Sequence, residues 1–407
     1  MKLEYVLVNK NKNRSIVKLL SILCGLFIFS SHVYAIYEPA VINASGIEVV
    51  PTLQVSQSHD SNYLYASSDE QSDWIRKVSP AVNILKTNGP SEYKLSFGLD
   101  VGSYKTHTSD DYLDSMLSLD LHQSFTRKFS LGLMAKRHNL HESRGLGYSS
   151  GDLGSTPLSS PDEYHTDSYG MLINYGSKDA IGRIEMNLTG ENRQFDTRRD
   201  VTSVRDRSLA GGDFTFYYHL LPKTSLIFEV GHHAFTYENN TAYDNTEQHF
   251  FSGVSWDITS ITTGTLKAGL LKKDFSDAER DDFSGFSWEI GARWTPLSYS
   301  VVDALTKGRT EETNSEGDYI DSKSLIVQWT HFWNDRVSTK LNSNLTMNSF
   351  KPTGRDEDYL NLSFSVNYDI RRWMQAGLSL STIENEATDN SYDYQKNIVS
   401  INLNLAL

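Results

Sequence analysis

Cysteine is all but missing from this chain. The one cysteine in 407 residues is Cys24, and it lies inside a short apolar run, Leu19 to Phe29. Ahead of that run stand Lys10, Lys12, Arg14 and Lys18; behind it comes the small-residue site Val33-Tyr34-Ala35. A basic segment, a short apolar run and a small-residue site follow the order of a secretory signal peptide. Residues 1–35 are therefore expected to be removed, with an uncleaved anchor as the alternative. Leu23 occupies the place before the cysteine where a lipoprotein signal needs a small residue, which speaks against a lipid anchor. From Ile36 onward there is no thiol, so disulfides, thiolate chemistry and Cys-ligated zinc are excluded.

Long hydrophobic runs and excess positive charge are missing as well. No second apolar run approaches the roughly 20 residues of a spanning helix, and hydrophobic residues make up only 38% of the chain, so a helical membrane protein is excluded. The formal charge is −13. The leading segment carries Lys2, Lys10, Lys12, Arg14 and Lys18 against Glu4, a net +4, so the remainder carries −13 − (+4) = −17. Nucleic-acid binding, which needs a basic surface, is excluded. There is no G-x-S-x-G, no H-E-x-x-H and no P-loop, so no enzyme is expected. An outer-membrane hydrolase, whose triad a linear sequence conceals, and a structural scaffold are minor alternatives. No cofactor, metal or catalytic residue is expected; His232 and His233, adjacent in a strand, point to opposite faces and cannot chelate one metal.

What is present is alternation. In the last stretch, Val399, Ile401, Leu403, Leu405 and Leu407 share one strand face, while Ser400, Asn402 and Asn404 lie on the other. The same pattern recurs from about Gly46 onward. It is clear in Tyr93, Leu95, Phe97, Leu99 and Val101, and in Phe286, Trp288, Ile290, Ala292 and Trp294. Short turns, among them Gly176-Ser177-Lys178-Asp179, and longer loops, among them His59 to Ser72 and Glu384 to Ser391, alternate between the strands. A strand greasy on one face and polar on the other fits a wall between lipid and water, and only a closed barrel leaves no open edge in a bilayer. The fold expected is all-β: a transmembrane antiparallel up-and-down β-barrel of about 18 strands, 16 being the alternative count. Short turns belong on the periplasmic side and longer loops outside. Residues 36–45 are expected to form a periplasmic lead and 46–407 the barrel. Aromatics at 12%, with 22 Tyr and 7 Trp, suit interfacial girdles. A soluble sandwich or propeller is the alternative, and the lack of a blade repeat counts against the latter.

Several short stretches resemble the putative β-barrel porin 2 family of Gram-negative outer-membrane proteins. They are Pro51 and Leu53, Ser58-His59-Asp60-Ser61-Asn62, Ser72-Asp73-Trp74-Ile75 with Pro80, Tyr93 with Phe97 and Gly98, Arg144-Gly145, and Trp294-Thr295-Pro296, which is expected to end its strand and turn the chain. The resemblance implies an integral outer-membrane location. It also implies a link to exopolysaccharide or capsule secretion, since members accompany such gene clusters. A general diffusion porin for small hydrophilic solutes is the competing expectation. One departure is the last residue, Leu407, where many such barrels end in an aromatic.

If the apolar faces meet lipid, the opposite faces line the lumen. Lys94, Asp100, Asp120, Lys136, Arg183, Glu185, Glu229, Asp257, Lys267, Glu289, Arg293, Lys340 and Asp369 are expected there, together with Glu48, Lys77 and Asp114. Tyr217, Phe235 and Phe251 fall on the same face and are candidate sugar-stacking rings. Charges of both signs need water or partners, and a barrel this size holds an aqueous channel. Acidic clusters such as Asp277, Glu279, Asp281 and Asp282, or Asp356-Glu357-Asp358, match no EF-hand spacing and read as solvated loop charge. The expected partners are outer-membrane lipid and lipopolysaccharide, the barrel assembly machinery and, under the export reading, polysaccharide and periplasmic export components. The loop His141 to Glu163, rich in Gly, Ser and Pro, is long enough to fold inward and narrow the channel.

Overall fold

A strand with one apolar and one polar face is stable only where two media meet on either side of it. The chain meets that demand by closing into a ring. In the computed structural model, residues 42–44, 46–151, 158–177, 180–259, 261–313 and 316–406 are described. The expected signal peptide, most of the lead, Leu407 and the Lys178-Asp179 part of one expected turn lie outside these residues.

The strands are β1 (Ile42–Ala44), β2 (Ile47–Asp60), β3 (Asp73–Asn88), β4 (Ser91–Tyr104), β5 (Tyr112–Ser124), β6 (Phe129–Glu142) and β7 (Asp162–Tyr175). Next come β8 (Gly182–Phe195), β9 (Arg207–Leu221), β10 (Thr224–Tyr237), β11 (Asn245–Thr259), β12 (Thr262–Phe275) and β13 (Phe283–Leu297). The last are β14 (Ser300–Glu312), β15 (Tyr319–Phe332), β16 (Val337–Lys351), β17 (Arg355–Arg371), β18 (Met374–Ala387) and β19 (Tyr394–Ala406). Each pairs antiparallel with its neighbour in sequence, and β19 returns to β2, from Ile398 opposite Asp60 to Ala406 opposite Thr52. The result is a closed barrel of 18 strands, β2 to β19. The short β1, inside the expected lead, pairs antiparallel with Ile47 to Val49, a part of β2 that β19 does not reach.

Strands β2 to β19 run from 13 to 17 residues, more than the ~9–11 a tilted strand needs to span a bilayer. Among the described residues, no helix is long and apolar enough to cross a membrane. The outer surface is apolar: Phe286 is 65% exposed and Trp294 49%. Between them on the inner face, Ser287 is 2% exposed. At the end with the short turns, Tyr93, Phe125, Phe129, Tyr175, Tyr218, Trp294, Tyr368 and Trp373 are all exposed. They make the aromatic girdle of a membrane interface. Turns 89–90, 222–223, 298–299 and 372–373 lie at this end; loops 61–72, 143–161 and 196–206 lie at the other.

Some boundaries differ from the sequence reading. Trp294-Thr295-Pro296 is not the turn. β13 runs on to Leu297, and its ladder to β14 slips between Trp294 and Leu297, which accommodates a residue with no amide hydrogen. β2 runs to Asp60 and β18 to Ala387, and the long loop begins after Glu142 and ends before Asp162. Rungs of a ladder continue as long as a partner strand supplies hydrogen bonds, whatever the local polarity.

Candidate channel lumen

The inner wall follows from register. Across the wall from β8 to β14, Arg183, Tyr217, Ile227, Gly253, Lys267, Glu289 and Lys307 lie in one hydrogen-bonded row. All face opposite to the exposed apolar side chains. Glu229 binds Lys267 at 3.1 Å and accepts a hydrogen bond from the Thr215 hydroxyl at 3.0 Å. Lys267 also lies 3.7 Å from Glu289, which pairs with Lys307 at 3.2 Å. Positive and negative charges thus alternate around this side of the wall. Arg183 pairs with Glu185 at 3.7 Å, and Arg293 donates to Asp303 at 2.6 Å.

The other expected lumen residues take separate places. Lys94 faces Asp120 across β4 and β5. Lys136 faces Ser118. Asp100 accepts from Ser79 at 2.8 Å and lies 3.7 Å from Lys77. Lys340 sits between Thr330 and Ser365. Asp369 accepts from the Gln375 amide at 2.8 Å near the turn end. Asp257, Glu289 and Arg293 line a cavity of about 750 Å³ at that end, with His219, Ser225 and Thr263. The inner face is not uniformly polar: Ile227 and Leu271 point inward and are buried. Strict alternation leaves such residues unassigned, and packing over them decides their environment.

Each of the three candidate stacking rings already carries a neighbour. The Arg183 guanidinium lies 3.9 Å over Tyr217. Lys273 and Arg207 lie 4.9 and 5.6 Å from the Phe235 ring. Phe251 is buried and stacks on His249 at 4.5 Å.

The opposite end is narrowed by the long loop between β6 and β7. Its first described part, 143–151, leaves β6 and reaches the far wall. Gly151 sits close against the Tyr392 ring. Leu146, Gly147 and Ser150 border a cavity of about 160 Å³ that they share with Phe350, Glu357, Asn385 and Tyr394. Arg144 latches the loop. Its guanidinium donates to both oxygens of Asp110, at 2.6 and 2.5 Å, to the Leu158 carbonyl and to the Tyr63 hydroxyl. The Asp110 contact raises the Arg144 pKa above the ordinary arginine value, so the latch keeps its charge. Burial raises the Tyr63 pKa, against the pull of Arg144. Gly145, at φ +85°, brings the loop against the Leu64 carbonyl, where a side chain has no room.

The acidic clusters are partly engaged at this rim. Asp282 accepts from the Phe275 amide at 2.8 Å, Asp356 accepts from the Ser349 hydroxyl at 2.6 Å, and Arg355 lies 3.1 Å from Glu357. Two of the short stretches singled out in the sequence, Ser58 to Asn62 and Arg144-Gly145, act at this end. Ser58 meets Ser400 at 2.8 Å across the closing seam. Asp60 binds Lys396 at 2.8 Å, and the Asn62 amide donates to the Gln395 carbonyl. Ser-His-Asp-Ser-Asn therefore staples the seam, and Arg144-Gly145 fastens the loop. Sequence reasoning missed the partners of both: Lys396 and Asp110 lie far away in the chain, and nothing local marks them. It also missed Asp213, His233 and His249, which three adjacent strands bring together. As expected, His232 turns outward, away from His233.

Residues 35–407 match the model of the family described as "Putative beta-barrel porin 2". No curated protein matches the chain in sequence. Among solved structures, it is similar to Pseudomonas aeruginosa OprD at 10% identity, over 88% of this chain and 95% of that one, with a TM-score of 0.45. Pseudomonas aeruginosa OccK11 (OpdR) shares 12% identity over 93% of this chain and 100% of that one, with a TM-score of 0.47. Acinetobacter baumannii OccAB4 shares 10% over 89% and 99%, with a TM-score of 0.48. A match across nearly the whole chain, on a closed antiparallel barrel with an apolar outside and a charged inside, places this outer-membrane protein in the beta-barrel porin 2 family.

Proposed function

We propose that the barrel is a passive outer-membrane channel for small hydrophilic solutes. The observation that carries this is the loop 143–151, latched by Arg144 and reaching across the mouth above a lumen lined by charges of both signs. A narrow mouth over a hydrated, charge-balanced wall selects by size first and by charge second. Export of an exopolysaccharide, the role that the family resemblance implied, draws less support. A polymer needs a wide mouth and free stacking surfaces, whereas Tyr217, Phe235 and Phe251 are each covered on one face. The charged side chains of the lumen serve here as a selectivity lining; the paired carboxylates and cations have no catalytic task.

The test is conductance in planar bilayers. The folded barrel should give discrete steps. Arg144→Ala, which releases the loop from Asp110, should raise the single-channel conductance and the rate at which sugars enter proteoliposomes. A barrel that folds and inserts but never conducts, with or without the latch, would remove the channel reading. Hydrolysis of lipid or peptide by such a barrel would point to an enzyme.

A further inference from the structure

We propose that Asp213, His233 and His249 form a lumen-facing site for a divalent d-block cation of the zinc class, with a fourth position open to water. The three residues come from the adjacent strands β9, β10 and β11. Asp213 lies opposite Gly231, and Gly231 opposite His249, in a single row; His233 stands two residues further along β10 on the same face. One donor atom from each residue lies within 4.8 Å of the others.

Two glycines clear the space. A Cβ at Gly231 would come within 2.1 Å of the His249 ring and 2.5 Å of Asp213 Oδ1. A Cβ at Gly211 would come within 2.4 Å of the His233 ring. Asp213 and both histidines thus each have one cross-strand neighbour, Gly231 or Gly211, without a side chain.

The distances fit coordination better than hydrogen bonding. Asp213 Oδ1 lies 3.7 Å from His233 Nε2 and 3.6 Å from His249 Nε2. These exceed an N–H···O bond, yet they approach the edge of a tetrahedron of zinc ligands, roughly 3.3 Å for bonds of ~2.0–2.1 Å. Asp213 Oδ1 and His249 Nε2 are both buried and without a hydrogen-bond partner, and the His249 side chain is only 10% exposed. Unsatisfied buried polar atoms are costly and rare; one cation between them would satisfy both. The ring of His249 is held in place by its stack on Phe251. Glu229 Oε1 lies 3.4 Å from His249 Nε2 but is already engaged by Lys267, so it supplies negative charge beside the site. Two imidazoles and one carboxylate favour zinc, copper or nickel over calcium and magnesium.

The experiment uses the untagged full-length barrel folded in detergent and titrated calorimetrically with zinc chloride, with Co²⁺ as a spectroscopic probe. One equivalent of Zn²⁺ should bind and be withdrawn by EDTA, and Co²⁺ should give the visible absorption of a tetrahedral site. His249→Ala should weaken binding by at least about 100-fold and His233→Ala by at least about tenfold. His232→Ala, on the lipid face, should change nothing. Asp213→Asn keeps the shape of the site and should lose affinity as well, so the proposal stays testable if an alanine variant fails to fold. Absence of stoichiometric Zn²⁺ binding to the folded barrel would overturn the proposal. So would equal loss in His232→Ala, or full displacement of Zn²⁺ by equimolar Ca²⁺.

Discussion

At the scale of single residues, the face on which a side chain falls decides what a substitution does. Glu289 and Arg293 are four residues apart on β13 and line one cavity, so they report on the same solution with opposite sign. Glu289→Lys should shift selectivity toward anions and Arg293→Glu toward cations, read as reversal potentials in asymmetric salt. The Arg293 change also strips Asp303 of its partner, which adds to the negative field. Ile290 lies between them on the outer face. Ile290→Arg should cost about 2–4 kcal/mol near the bilayer midplane, whereas Gly291→Arg, where a Cβ meets nothing nearer than Leu305 at 3.7 Å, should be tolerated. Folding in lipid vesicles, followed by heat modifiability, separates the two. Ser287, polar and on the same face, differs: its hydroxyl donates to the Gly308 carbonyl at 2.6 Å in a buried spot, and arginine there should disrupt the wall.

Among elements, the seam between β2 and β19 is the join that the chain must find last, since its two strands come from opposite ends of the sequence. Loop closure over that span costs entropy before any rung rewards it. The seam is accordingly supplied with specific contacts beyond the ladder. Lys396 and Asp60 are nearly fully buried against each other, with Lys396 also 3.7 Å over the Tyr65 ring. Asp60→Ala would leave a buried ammonium without its carboxylate and should destabilise the barrel by about 3–5 kcal/mol. The measurement is the urea midpoint of the heat-modifiable band. A midpoint unchanged from the parent would show that the ladder alone closes the ring.

On the scale of the whole molecule, the outer membrane is where an apolar exterior with one clear aromatic girdle is stable. The protein should fractionate with that membrane and shift in gel mobility on heating. Deletion of the gene should slow entry of small sugars and leave surface polysaccharide intact; the reverse pattern would replace the diffusion reading with export.

The barrel, its strand number and its inside-outside sense were legible because period-two alternation is local and repeats in every strand. The same period places Lys94, Glu229 and Arg293 on the faces opposite the exposed apolar side chains. What alternation could not reach was any contact set by register between strands. Asp110 under Arg144, Lys396 beside Asp60, and Asp213 between His233 and His249 all depend on how far one strand slides past another. That slide is decided by the summed hydrogen bonds of the closed ring. The same holds for Ile227 and Leu271, inward and buried against the rule. Sequence alone determined which face of each strand meets lipid, because burial of apolar surface acts residue by residue. Only the tertiary structure decided which charges, rings and glycines meet across the wall, because those distances exist only once the last strand has paired with the first.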